Sequence, residues 1–381
     1  MSWKSFKFSD LFDYENKSSI KAGEGLIEGK FSFYTSSSIL SKYLNEFSFE
    51  KTSLIFGTGG NASIHYCENP FSVSTDCLVA IAKDETKCDP KFVFYYLSGN
   101  INILEEGFKG AGLKHISKAF INEITIPLPP LSIQKRIAEI LDAADALRRK
   151  DQELLNKFDE LSQAIFIDMF GDPVKNVKGW KLIPFVELFD SRLGKMLDAK
   201  KQNGEKKYKY LGNSNLQWFR YNLDNLSEME FDENELEKFV LKKGDVLICE
   251  GGEVGRCAIW NNEMSNVYFQ KAIHRARIIS NNITPEYTVM LFWFFAKFGG
   301  LNDYVTAATI AHLTGEKLKT IPIPVPPIEM QNSYKDAILK LNKQKELFAK
   351  SQYYSENLFQ SLIQQSFNGE LVKHFIKISL C

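Results

Sequence analysis

Two histidines, His115 and His312, occupy matching settings, and they are the first place to look for chemistry. His115 precedes Pro129 and His312 precedes Pro326 by the same fourteen residues. A histidine at a fixed position can act as a general base or bind a metal, but neither has the companions such work requires. The six cysteines (Cys67, Cys77, Cys88, Cys249, Cys257, Cys381) form no C-x-x-C pair, and His65 two residues before Cys67 is the nearest approach to zinc-ligand spacing. That pattern predicts buried thiols and no metal. A methyltransferase would need an Asn/Asp-Pro-Pro-aromatic element and a cofactor loop. Asn69-Pro70-Phe71 lacks the second proline, and no F-x-G-x-G loop follows a strand. Gly57-Thr58-Gly59-Gly60 matches neither phosphate-binding glycine motif, so a tight turn accounts for it. No carboxylate pair with lysine stands out at nuclease-like spacing. The chain therefore reads as a binding protein, not an enzyme in itself, with no cofactor. The two histidines are expected to hold a junction between structural elements.

Those elements come in duplicate. Ile126-Pro127-Leu128-Pro129-Pro130 with Gln134 recurs as Ile323-Pro324-Val325-Pro326-Pro327 with Gln331, and a long amphipathic run follows each. Trp3 and Leu11-Phe12-Asp13 match Trp180 and Leu188-Phe189-Asp190 at one constant offset. A repeat of this length is a whole domain. Two copies of one domain, each followed by a helix, predict a molecule with a pseudo-two-fold axis. Duplex DNA is the commonest partner of that symmetry.

Short aromatic and β-branched runs (Phe31–Tyr34, Ser53–Phe56, Phe71–Thr75, Leu78–Ile81) predict strands in the first copy, followed by a helix from Pro90 to about Ile103. In the second copy strands are expected at Lys207–Leu211, Asp245–Cys249, Cys257–Trp260 and Ile273–Ile279, with a helix over Pro285–Lys297. This copy is about twenty residues longer, the excess falling before Gly251. Between Leu131 and Phe170 the residues Ile133, Ile137, Ile140, Ala144, Leu147, Asp151, Leu154, Phe158, Leu161 and Ile165 alternate steps of four and three, the period of a coiled coil. From Ile328 to about Phe367, Tyr334, Ile338, Leu341, Phe348, Leu358 and Leu362 give a less regular face. Gly171-Asp172-Pro173 stops the first run. Forty residues make a rod of roughly 60 Å, too long to lie on one globule whose radius of gyration would be about 14 Å. The two rods are therefore expected to pair antiparallel.

The 381 residues carry equal numbers of basic and acidic side chains, which by itself argues against nucleic acid. The charges are uneven, however. Six lysines fall between Lys195 and Lys209, and seven acids between Asp224 and Glu237. This distribution predicts one face for phosphates and another for solvent or a basic partner. The longest apolar stretch, Tyr287 to Phe298, is well short of the roughly 20 residues of a membrane span. With no secretory segment at the start, a cytoplasmic location and no membrane contact are expected.

At this point the chain resembles the specificity subunit of a Type I restriction-modification system, along its whole length. The resemblance rests on the tandem domains, on the two I-P-x-P-P-x-x-x-Q elements, and on stretches of the second domain: Phe231–Phe239, Leu241–Ile248, Gly251–Arg256 and Gln270–Arg275. The first domain matches more loosely. Phe49–Gly60 stands where the second has its Gly244–Gly255 run, without the Gly-Asp turn and the arginine. The resemblance implies an α+β fold of two tandem mixed target-recognition domains, each followed by a long helix, the helices forming an antiparallel coiled coil. The divisions would be 1–126 and 174–322 for the recognition domains, 127–173 and 323–381 for the helices. It implies a non-catalytic subunit that reads a bipartite, gapped site in double-stranded DNA. That subunit would join two modification subunits into an adenine-N6 methyltransferase, to which restriction subunits can add.

Side chains suited to DNA are bidentate or stacking groups on loops near basic residues. In the second domain, Lys200, Lys201 and Lys271 are candidates for phosphate. Asn213, Asn215, Gln270 and Arg275 are candidates for base edges, with Arg256 beside a close backbone approach at Gly251-Gly252. In the first domain the candidates are Asn61, Lys109 and Lys114. The rival reading is a coiled-coil adaptor that binds proteins through its globules, favoured by the neutral net charge.

Overall fold

The computed structural model describes residues 3–110, 112–197, 206–305 and 311–371. Contacts divide the chain into two units. One holds the residues up to Glu153 together with those from Ala349 onward, and the other spans Leu154–Phe348. Each unit thus combines one globule with part of both long helices, Leu131–Phe170 and Ile328–Phe367.

The globules share one topology. In the first, a four-stranded antiparallel sheet runs Phe12–Tyr14, Cys77–Ala82, Ser53–Gly57, Ser63–Cys67. In the second, the same order is Phe189–Leu193, Ile273–Ile278, Val246–Cys249, Cys257–Ile259. A three-stranded sheet accompanies each. It joins Tyr43–Leu44, Phe31–Tyr34 and Phe71–Val73 in the first unit, and Ser227–Glu230, Lys207–Leu211 and Tyr268–Phe269 in the second, with one parallel pairing in both. The central strands Ser53–Gly57 and Val246–Cys249 are buried throughout, hence their continuous apolar runs. The extra residues of the second globule form the hairpin Leu216–Gln217/Arg220–Tyr221 and the helix Glu233–Phe239. The expected first-globule helix ends early, at Gly99, and a separate short helix covers Asn102–Glu105.

Each globule is closed by a ribbon that the sequence did not reveal. Ser5–Lys7 pairs with Thr125–Pro127, and Lys181–Pro184 with Pro322–Val325. The proline-rich element is therefore itself a strand. In a two-stranded ribbon every strand is an edge, so proline can occupy positions whose N–H would point outward.

Gln134 and Gln331, both fully buried, dock each globule onto its helix. Gln134 Oε1 accepts the Asp89 amide at 2.8 Å, and its Nε2 donates to the carbonyls of Lys87 and Pro129. Gln331 makes the same three bonds, to the Thr284 amide at 3.0 Å and the carbonyls of Asn282 and Pro326. Asp89 and Thr284 are the N-caps of the globule helices Pro90–Gly99 and Pro285–Lys297. One amide side chain thus fixes a helix start, the preceding loop and the proline element together.

The long helices run antiparallel within each unit. In the first, Arg148 bonds Glu356 and Gln152 bonds Gln352. In the second, Phe158 meets Phe348 and Asp159 pairs with Lys345. The expected stripe is buried only in part. Ile137, Ala144 and Asp151 are buried, and Ile140, Leu154 and Phe158 are half-buried, but burial slips by one residue from the exposed Leu147 and Leu161 to the half-buried Arg148 and Ser162, and Leu141 is more buried than Ile140. Leu147 and Leu161 are about half exposed, at 45% and 47%. The slip is stabilised by Arg148, which bonds Asp145 and Glu356 while its guanidinium lies 4.9 Å from the Phe359 ring centroid. Ile133 packs against the first globule's core, and Ile165 and Ile338 against the second's. On the second helix Tyr334 and Leu341 are buried. Leu358 and Phe348 are 48% and 38% exposed, and Leu362 is half-buried. The buried positions beside them are Ser355, Phe359 and Ile363.

Candidate nucleic-acid interface

At one end of each four-stranded sheet the loops converge in the same pattern. In the first globule the Ile116 amide donates to the Thr58 carbonyl at 3.1 Å, and His115 lies against Gly59. In the second the Leu313 amide donates to the Glu250 carbonyl at 2.7 Å, and His312 lies against Gly251. A β carbon at Gly59 would sit 3.2 Å from the His115 ring, and one at Gly251 2.9 Å from the His312 ring, so the imidazoles occupy the space a side chain would need. The following glycines, Gly60 and Gly252, have φ of 82° and 74°, which completes the explanation of the paired glycines. His115 Nδ1 also contacts the Thr58 carbonyl oxygen at 3.1 Å. The histidines accordingly pin loop to loop at the sheet end, rather than holding the junction of globule and helix. That junction belongs to the glutamines.

Around the first pin, Asn61, Lys109 and Lys114 are exposed, with Leu113 78% exposed between them. Lys109 and His115 exchange two backbone hydrogen bonds of 3.0 Å, which shape the loop that presents these lysines. In the second globule Gln270 and Lys271 stand on the corresponding end. Lys271 is exposed and its amide donates to the Lys195 carbonyl, while the half-buried Gln270 packs over Gly212. Lys200 and Lys201 lie outside the described residues.

Four second-globule candidates have internal partners, and the structure gives them shaping roles. Asn213 Nδ2 donates to the Gly251 carbonyl at 3.0 Å, and its Oδ1 accepts from Cys249 Sγ and Arg256. Asn215 accepts the Gly212 amide and donates to the Asn222 carbonyl. Arg256 reaches the Asn213 carbonyl at 2.8 Å, with Glu253 beside it. Arg275 is 3% exposed, pairs with Asp190 at 2.7 Å and donates to the Lys238 carbonyl. Burial holds its pKa below the usual guanidinium value. Neighbouring Arg277 makes two 2.7 Å bonds to the buried Asp245, which in turn accepts the Lys242 amide. This explains the Lys-Gly-Asp turn as a structural clamp.

The uneven charge also resolves differently from expectation. Lys207 stands opposite Glu230, and Lys209 opposite Glu228, in antiparallel register. Lys195 Nζ bonds Glu235 and the Glu230 carbonyl. Two lysines of the basic run therefore face two glutamates of the acidic run as cross-strand neighbours.

Sequence reasoning missed Trp218, Phe219 and Arg220 in the inserted hairpin, and Ala272 beside Lys271. Phe219 and Ala272 have φ of 63° and 108°, and the other described non-glycine residues with positive φ are all asparagines. No sequence signal marked them, because the turn lacks the glycine or asparagine that normally announces such a conformation. Among the described residues no cluster of His, Cys, Asp and Glu is placed to hold a metal, and no helix is long and apolar enough to cross a membrane.

Comparison with known proteins fits this arrangement. The profile of the Type I restriction modification DNA specificity domain matches residues 1–157 and 177–352. A putative type I restriction enzyme specificity subunit of Haemophilus influenzae is 26% identical over 342 residues, covering 80% of this chain and 78% of that protein. The EcoKI specificity subunit of Escherichia coli is 23% identical over 329 residues, covering 79% and 70%. The crystal structure of the Type I S subunit from M. genitalium superposes with a TM-score of 0.59 at 16% identity, over 96% of each chain. With two matches that together span most of its length, the chain belongs to the Type I restriction-modification specificity family, and its part in such a system is DNA specificity, not catalysis.

Proposed function

We propose that each globule reads one half of a split, asymmetric DNA site through its pinned loop end, and that the paired helices set the unread gap. The observation that carries this reading is the recurrence of one loop-end geometry in two units whose exposed residues differ. A shared frame with divergent side chains is what two readers of different half-sites need. Asn61, Lys109 and Lys114 serve the first half-site, and Gln270 and Lys271 the second. Asn213, Asn215, Arg256 and Arg275 act by shaping the second loop end. The exposed Leu147, Leu161, Leu347, Tyr353 and Tyr354 on the helices supply apolar area for two adenine-N6 modification subunits, with restriction subunits joining the full complex.

The decisive experiment co-expresses the chain with its modification subunit in a methylation-free host and maps modified adenines by single-molecule sequencing. A split motif with an unread gap is expected. A stable complex that leaves no modified adenine would overturn the reading. The adaptor alternative draws on the zero net charge and the cross-strand Lys–Glu pairing. Salt titration of DNA binding by the complex separates the two, because phosphate contacts impose a steep loss of affinity with salt. Deleting four residues within 145–156 should change the gap and leave the read bases alone. An unchanged gap would remove the helices from that role.

A further inference from the structure

The hairpin inserted in the second globule ends in a two-residue turn, Trp218-Phe219, between Gln217 and Arg220. Phe219 adopts φ 63°, a conformation in which a β carbon is strained and for which glycine or asparagine is the ordinary choice. Strain of this kind persists only where surrounding contacts fix the backbone, and it concentrates at working sites. Those contacts are present. The Phe219 amide donates to the Cys257 carbonyl at 3.0 Å, and Tyr221 Oη to the Ala258 carbonyl at 2.9 Å. Trp218 Nε1 donates to Glu253 at 2.7 Å, and Lys297 meets the same carboxylate oxygen at 2.7 Å. The hairpin is thereby tied to the loop that His312 pins. Its base is held to the 212–215 loop by the bonds between Asn215 and Asn222.

This anchoring does not bury the ring. Phe219 remains 44% exposed, against the Trp218 ring at 5.9 Å on one side and followed by the exposed Arg220. A rigid, exposed aromatic at the end of an anchored hairpin, followed in sequence by an exposed arginine, matches the chemistry of a wedge. The ring enters between stacked bases while the cation meets the adjoining phosphate. The second strained residue, Ala272, lies on the same loop end, its carbonyl accepting the Glu250 amide at 2.8 Å.

We infer that Phe219 is a base-step wedge that unstacks the duplex at the second half-site. This inference rests on the DNA-reading proposal above. The test uses the complex of the full chain with its modification subunit and duplexes carrying the mapped site, with 2-aminopurine placed at successive steps through the second half-site. The wild-type complex should raise 2-aminopurine fluorescence at one step. Phe219→Gly should abolish that rise and weaken binding on the order of ten- to a hundred-fold, the effect of losing one stacked base. Phe219→Trp should keep both. Glycine relieves the positive φ, so the melting temperature of Phe219→Gly should not fall, and lost binding then cannot be ascribed to misfolding. Unchanged fluorescence and affinity in Phe219→Gly would overturn the wedge and leave DNA reading intact. Absence of salt-sensitive DNA binding by the wild-type complex would overturn DNA reading, and the wedge with it.

Discussion

The two globules are built on one strand register and stitched by different chemistry. In the first, Ile55 lies opposite Val79 and Phe56 opposite Leu78. In the second the same places hold Leu247 opposite Arg275 and Ile248 opposite His274. An apolar strand in one copy is thus a buried polar strand in the other, with Arg275 and Arg277 tied to Asp190 and Asp245. The helix junctions differ similarly. Lys91 pairs with Asp142 in the first unit, whereas Glu286 pairs with Lys335 in the second, at the second residue of equivalent helices. What stays constant is the glutamine bond set and the histidine pin. Topology needs few shared contacts, and the rest of each copy is free to diverge.

The contrast can be broken at graded strengths. Arg277→Ala leaves the buried Asp245 carboxylate without its guanidinium and should cost the second globule about 3 kcal/mol. The first globule should be unaffected, as hydrogen exchange of peptides from each unit would reveal. Equal loss of protection in both would contradict the independence of the two stitching schemes. Gln134→Ala and Gln331→Ala should each cost about 2–3 kcal/mol, because buried backbone groups lose their partners. Closely similar shifts in urea midpoint are expected, and a silent variant in either copy would show that the shared bond set is not shared in energy. Glu286→Lys, placed beside Lys335, should cost about 1 kcal/mol. Adding Lys335→Glu should restore most of it in a double-mutant cycle, and failure of that rescue would sink the ion pair as the cause.

The smallest effect concerns pH. Burial lowers the pKa of His274, partly offset by its bond to the Leu313 carbonyl. His65 is shifted the same way, by burial against the Ser37 carbonyl bond. A histidine with a depressed folded pKa stabilises in its neutral form. That contribution is complete above the unfolded value of about 6.5 and is lost as pH falls below it, by no more than about 1.4 kcal/mol per pH unit for each group. His274→Leu, copying Leu78, should make the second globule's unfolding less steep between pH 6.5 and 5. An unaltered pH profile would count against His274 as the sensor.

Much of the architecture is legible in the sequence because repetition supplies its own control: Pro90 and Pro285, or Gln134 and Gln331, are more informative together than alone. The helix seam misleads because Leu147 and Arg148 compete for one position. Apolarity favours the leucine, while the ion pairs with Asp145 and Glu356 favour the arginine. The candidate site is harder to read. Asn213 and Arg256 carry the right functional groups for bases, and only the fold reveals that they bond to each other. Phe219 bears no signal at all, since its meaning depends on a backbone angle.

The closing ribbons have an evolutionary consequence. Because Ser5–Lys7 lies beside Thr125–Pro127, and Lys181–Pro184 beside Pro322–Val325, the chain enters and leaves each globule at one doorway. A segment with adjacent ends can be cut out and another spliced in without displacing what it is joined to. Recombination between related genes at the doorway sequences would exchange one globule whole in a single step.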